Sequence, residues 1–152
     1  MLAFRLVKAR HAATALDGEG ARRVGGRWNA PGVPVVYAAS SLSLAVLELL
    51  VHADPGDLPD DLMAVHLEIP EDVAMGRRLP PDLPPGWRRD AGKAALRALG
   101  AQWLRAGMEA VLLVPSVIVP AELNVLVNPR HPAAARIKVK ALEPFGLDPR
   151  LS

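Results

Sequence analysis

The chain contains no cysteine. Disulfide staples, thiolate zinc centres and cysteine nucleophiles are thereby excluded, and stability has to come from packing. Aromatic residues are scarce, 4% of the chain with a single tyrosine, which argues against single-stranded nucleic acid as a ligand, because bases stack on aromatic platforms. A charge surplus is missing as well. Lys+Arg 18 against Asp+Glu 16 leaves a net charge of +2, far from the dense cationic stripe of a nucleic-acid binder. No apolar run reaches the roughly 18 residues a membrane span needs, and Met1 to Arg10 lacks the long apolar region and cleavage site of a secretory leader. The expectation is a soluble, cytoplasmic protein with neither membrane nor nucleic acid as its direct partner. His11, His52, His66 and His131 show no helical i, i+4 ligand spacing, so no metal is expected.

What is present is enough apolar material for a core: 51% hydrophobic residues in a chain of 152, which fits one domain over residues 1–152. Strands are expected at Leu2–Val7 and Val33–Ala38, the second rich in Val and Tyr and bounded by Gly32 and Ser40. Between them lies a glycine-punctuated loop. Ser40 or Ser41 can cap a helix over Leu42–His52, whose apolar positions follow the helical period and predict burial on more than one side. Leu62–Ile69 alternates as a third strand, and the Pro-rich Leu79–Trp87 reads as an irregular connection. A second helix is expected over Lys93–Arg105, ended near Gly107, followed by a strand at Ala110–Pro115, the apolar Val117–Val119, a short strand or turn at Leu123–Val127 and a last strand at Arg136–Leu142. Only two substantial helices interrupt these strands, and several strands follow one another directly. That pattern is α+β with a mixed sheet rather than a regular doubly wound fold.

One feature of the first helix is out of place. Glu48 is a lone carboxylate among Leu44, Ala45, Val46, Leu47, Leu49, Leu50 and Val51, so it must be neutral, snorkelling or held by a cation. Arg27, in Gly25-Gly26-Arg27-Trp28-Asn29, is the expected cation. A carboxylate beside a glycine-flanked arginine loop would form a pocket for an anion and for a developing positive charge. Standard phosphate-binding motifs do not explain the loop. Gly18-Glu19-Gly20-Ala21-Arg22-Arg23 lacks the third glycine of the dinucleotide fingerprint, and Gly26-Arg27 stands where a P-loop needs Lys and Ser or Thr. Ser116 lies in Pro115-Ser116-Val117 without the glycines of a nucleophile elbow, so a serine hydrolase is not expected.

Gly-Gly-Arg-Trp-Asn around Arg27, Ser-Leu-Ala-Val-Leu-Glu-Leu-Leu-Val-His around Glu48 and Val-Pro-Ser-Val-Ile-Val-Pro around Ser116 resemble the Arg-Glu-Ser pattern that names the RES-domain family. Asn124-Val125-Leu126-Val127-Asn128-Pro129-Arg130-His131-Pro132 and the segment Phe145-Gly146-Leu147-Asp148-Pro149-Arg150-Leu151 extend the resemblance over essentially the whole chain. Val125 departs from it, standing where many members carry an aromatic residue after the asparagine. The resemblance implies a fold similar to ADP-ribosyltransferase toxins, with a split mixed sheet. It also implies a toxin that attacks NAD as its substrate, with water, inorganic phosphate or a protein as acceptor. The partner it implies is an Xre-type helix-turn-helix antitoxin, in a complex containing a toxin homodimer. A noncatalytic module binding a phosphorylated ligand through the same arginines is the competing class.

By this likeness Arg5, Arg27, Tyr37, Glu48 and Ser116 line the NAD cleft. Glu48 would stabilise an oxocarbenium-like transition state, as carboxylates do in glycoside hydrolysis. Arg5 and Arg27 would grip the pyrophosphate with planar forks, the glycines letting backbone approach the ligand. Tyr37 would stack on nicotinamide, its hydroxyl orienting a phosphate or ribose. Ser116 would hydrogen-bond the ligand or orient Glu48. Trp28, Asn29, Asn124 and His131 are further candidates. The structural alternatives are a strand-end ion pair for Arg5, a loop pair with Glu48 for Arg27, core packing for Tyr37 and Trp28, and turn roles for Ser116 and Asn128.

Overall fold

The computed structural model describes residues 1–151. Its strands are β1 (Leu2–Lys8), β2 (Val36–Ala39), β3 (Leu62–Glu68), β4 (Met75–Arg77), β5 (Val111–Pro115), β6 (Leu123–Val127) and β7 (Lys138–Phe145). The helices are α1 (Glu19–Val24), α2 (Leu42–His52) and α3 (Lys93–Ala106). The strands form one seven-stranded sheet in the order β4-β5-β6-β2-β1-β3-β7. All pairs are antiparallel except β4 with β5. The fold is the expected α+β with a mixed sheet.

The sheet is pinched in the middle. β1 runs its full length along β3, from Leu2↔Glu68 to Lys8↔Leu62, yet meets β2 at the single position Phe4↔Ala39. Beyond that pair β1 and β2 carry no ladder bonds to each other, so the sheet is split into two halves joined at one point.

Alternation along each strand sorts the core. Ala3 and Val7, Val65 and Leu67, Val36 and Ala38, Leu113 and Val125 meet in one cluster. Leu112, Val114 and Leu126 face the other way, against Leu96 and Trp103 of α3 and Trp28. β5 is buried on both faces, which is why it reads as a continuous apolar run. Val125, the departure from the family pattern, is completely buried in the first cluster.

Ser41 Oγ accepts from the Leu44 amide at 3.1 Å and caps α2, and Gly107, at φ +60°, ends α3. α2 lies on Phe4, Leu6 and Ala39 through Leu44 and Ala45. It is not buried on several sides as expected. Leu47 and Val51 are 39% and 57% exposed, because α2 packs on one strand junction and none of the described residues covers its outer face.

Sequence reading missed α1 and β4. Six and three residues long, they are too short to display a period. β2 begins later than expected, at Val36: Val33 donates to Ala30 in a turn, and Pro34 has no amide to give a ladder. β7 is displaced too, because Pro132–Arg136 coils into a 3-10 turn, and it continues through Pro144, which only an edge strand tolerates.

Candidate functional site

A cavity of about 1060 Å³ opens at the seam between the half-sheets, lined by residues of β1 and β2, the Arg27 loop and α2. Its floor carries charge of both signs. Arg5, Lys8, Arg27 and Lys93 line it with His52, against the carboxylates of Glu48 and Asp57. A smaller hollow of about 320 Å³ beside Asp60, Asp61 and Phe145 has no cationic side chain in its lining.

Glu48 is set in the cavity by two neutral donors. Ser116 Oγ donates to its Oε1 at 2.9 Å and Asn124 Nδ2 to the same oxygen at 2.7 Å. Both are long-range contacts, bringing the turn after β5 and the start of β6 onto α2. Glu48 Oε2 has no protein donor among the described residues. Asn124 keeps its own Oδ1 buried and unpartnered, because its amide nitrogen must face the carboxylate.

Arg27 does not pair with Glu48, as the sequence reading expected. Its Nη1 makes only long contacts, 3.5 Å to the Trp87 carbonyl and 3.4 Å to that of Arg89. One oxygen of the carboxylate is held from the sheet side by neutral donors, and the guanidinium stays available in the cavity wall.

Arg5 is more exceptional. Among the described residues its guanidinium donates to no protein acceptor and forms no ion pair, which removes the strand-end pair as its explanation. Burial holds its pKa below the usual arginine value, with Asp17 opposing that shift only through longer-range attraction. Arg5 is half-buried, and a cation that faces the cavity without a protein acceptor can take an anion there.

Ser116 is 0% exposed. Its hydroxyl donates to Glu48 and accepts from the amides of Ile118 at 3.0 Å and Val119 at 3.1 Å. No capacity remains for a ligand. Of its two expected roles, orientation of Glu48 is the one the geometry carries, and the turn role coexists with it.

Tyr37 also differs from expectation. Its ring is in the cavity lining, but its hydroxyl donates to Asn29 Oδ1 and accepts from the Trp28 amide. The contact with a phosphate or ribose gives way to one with the Arg27 loop. Burial pushes its pKa up to about 12. The neighbouring glycines serve the same packing: a Cβ at Gly26 would lie 2.6 Å from the Tyr37 hydroxyl, and Gly25 has φ +74° beside Arg97 and Pro31. They admit protein rather than ligand backbone. Asn29, 2% exposed, donates to the carbonyls of Ala21 and Val33, a structural role. Trp28 packs in the core cluster under α3 while reaching the cavity wall.

His131 lies outside the cavity lining; its Nδ1 accepts from the Ala133 amide and caps the following turn. It is not brought to the site. Asn128 shapes a turn by accepting from the Arg130 amide. Lys8, His52, Asp57 and Lys93 were missed, since isolated charges at element ends carry no spacing signal; only the folded chain groups them.

A family model described as RES domain matches residues 2–148. The chain is 45% identical over 139 residues to "Prs ADP-ribosylating toxin" of Sphingobium sp. (strain YBL2), covering 90% of this chain and 86% of that protein. It is 39% identical over 153 residues to "Toxin Res" of Yersinia enterocolitica, covering 99% of each, and 43% identical over 138 residues to "Toxin Res" of Pseudomonas putida, covering 90% and 92%. Among solved structures it resembles the M. tuberculosis MbcT-MbcA toxin-antitoxin complex, with a TM-score of 0.77 and 21% identity over 99% of this chain and 85% of that one. At that identity the likeness establishes a shared fold.

Proposed function

This chain belongs to the RES-domain family, and from that premise we propose that it is the toxin of a toxin–antitoxin pair whose cleft binds NAD and breaks the bond between nicotinamide and ribose. The observation that carries the reading is the pairing, within one cavity, of an acceptor-free Arg5 with a carboxylate whose Oε2 is left open. NAD offers the complement of each: a doubly charged pyrophosphate for Arg5 and Arg27, and a ribose that becomes cationic as nicotinamide departs. A cavity of about 1060 Å³ is at the large end of ligand sites, which run to roughly 1,000 Å³, and suits a dinucleotide.

In the proposed reaction nicotinamide leaves with the electron pair of the glycosidic bond. The resulting oxocarbenium-like centre is stabilised by Glu48, held through Oε1 by Ser116 and Asn124 so that the charge is placed before the reaction begins. The Tyr37 ring stacks on nicotinamide. An acceptor oxygen then bonds to the sugar carbon and releases its proton. Water yields ADP-ribose and phosphate yields its phosphorylated form. A protein side chain as acceptor makes the enzyme an ADP-ribosyltransferase, a second reading favoured by the similarity to the Sphingobium ADP-ribosylating toxin.

The toxin reading brings an antitoxin partner with it, supported by the toxin names of the relatives and the complex formed by the structural neighbour; its Xre type rests on the motif resemblance alone. With a net charge of +2, this chain leaves operator binding to the partner's helix-turn-helix, and a toxin homodimer would bring several antitoxins together. Val24 and Val51, 76% and 57% exposed at the cavity lining, give the mouth an apolar rim around a cationic interior. An antitoxin segment carrying a carboxylate would fit both.

Incubation of the pure protein with NAD, with and without phosphate, tests the reading. Release of free nicotinamide is expected, and the fate of ADP-ribose identifies the acceptor. NAD bound but intact throughout would instead identify a binding module.

A further inference from the structure

The Arg27 loop is held from several directions, and one hydroxyl joins two of its consecutive residues, Trp28 and Asn29. Tyr37 Oη joins the Trp28 amide to Asn29 Oδ1. Asn29 in turn spans from the Ala21 carbonyl in α1 to the Val33 carbonyl ahead of β2. The Gly26 amide closes onto the Asn29 carbonyl at 2.9 Å, and Arg97 Nε from α3 donates to the Gly26 carbonyl at 2.8 Å. Arg27 sits inside this frame, while its own guanidinium has only the two long carbonyl contacts. Its position is therefore set by its backbone.

We infer that the Tyr37 hydroxyl is the latch of this loop and acts on the ligand only through Arg27: the ring is left to the ligand, while the hydroxyl has a positioning role and never meets the substrate. Both its donor and one acceptor site are engaged by protein, and Gly26 lacks a Cβ where the hydroxyl needs the space. The phenol stays protonated at ordinary pH, so the bond to Asn29 persists. The placement of Arg27 rests on the NAD reading of the cleft; the latch itself does not.

The test compares Tyr37→Phe, which keeps the ring and deletes the bridge, with Gly26→Ala, which keeps Tyr37 and drives a methyl against its oxygen. In the free protein, amide exchange at Gly26, Gly32 and Val33 is expected to quicken about tenfold in both variants, the scale of one lost hydrogen bond, with β5 and β6 unchanged. In calorimetry both variants should bind NAD about tenfold more weakly. Placed on Arg27→Ala, neither should weaken binding further, since a residue acting through Arg27 then has nothing to act on. Weaker NAD binding by Tyr37→Phe with unaltered loop exchange, or additivity with Arg27→Ala, overturns the latch and makes the hydroxyl a ligand contact. Exchange that rises equally in every strand overturns it as well, reducing Tyr37 to a general stabiliser. If the wild type binds no NAD, the substrate reading fails by itself, and the loop exchange still decides the latch.

Discussion

At the scale of single residues, Glu48 separates charge from geometry. In Glu48→Gln the amide oxygen can still accept from Ser116 and Asn124, so the helix and its contacts should persist while the charge disappears. Loss of one preorganised electrostatic group lowers the rate on the order of 10²–10³-fold. Nicotinamide release by the Gln variant is expected to fall by that factor at an unchanged thermal midpoint; wild-type turnover would remove Glu48 from the chemistry. Arg27→Lys tests the fork. Lysine keeps the charge but not the bidentate geometry, and calorimetric NAD affinity is expected to drop about tenfold, the scale of one lost charge-assisted bond. Unchanged affinity would make Arg27 structural. Tyr37 can be followed alone, because it is the only tyrosine. Its pKa is about 12 in the folded chain against about 10 for a free phenol. The native state thus favours the neutral form; its contribution to stability is complete below pH 10 and is lost as pH rises from about 10 to about 12. Ultraviolet titration should give a midpoint near 12 in the native protein and near 10 in denaturant. Coincident midpoints would show that the hydroxyl is not desolvated.

At the scale of elements, the site depends on how closely α3 lies against the Arg27 loop. A Cβ on Gly100 would stand only 1.9 Å from the Trp28 carbonyl oxygen, so this glycine serves a close approach of two backbones. It sits in the interior of α3, where glycine is intrinsically worse than alanine by up to about 1 kcal/mol. On propensity alone Gly100→Ala would stabilise the helix. Packing reverses the sign: the clash displaces α3 or the loop, an overpacking cost of about 1–3 kcal/mol. Thermal or urea denaturation is expected to show net destabilisation, together with weaker NAD binding through the displaced loop. A stabilised Ala variant would contradict the packing. α2 offers a contrast. Its boundaries were legible and its cap was narrowed to Ser40 or Ser41, since capping and apolar period are local, whereas which of its faces is covered depends on partners elsewhere in the chain.

For the whole molecule, the proposed toxicity requires that the cleft be blocked until needed. An antitoxin segment lying over Val24 and Val51 would cover the cavity and place a carboxylate against the arginines. The purified toxin–antitoxin complex is therefore expected to bind NAD at least tenfold more weakly than the free toxin, an estimate based on loss of a charged contact. Equal affinity in both forms would refute occlusion and point to an inactive conformation held by the partner.

The sequence by itself determined the α+β class, the limits of α2, most of the strands and the presence of Arg5, Arg27, Tyr37, Glu48, Ser116 and Asn124 as residues of interest. These follow from local propensity, from alternation, and from motif spacing within a family. Tertiary structure decided who holds whom. Glu48 was expected to lean on Arg27 because both are charged, yet Ser116 and Asn124, at separations of 68 and 76 residues, reach it first. Tyr37 was expected to offer its hydroxyl to a ligand, yet Asn29 and Trp28 occupy it. The reason is common to both: a side chain's chemistry is inherent in its type, but its partner is whichever complementary group the sheet register and loop closure bring within about 3 Å.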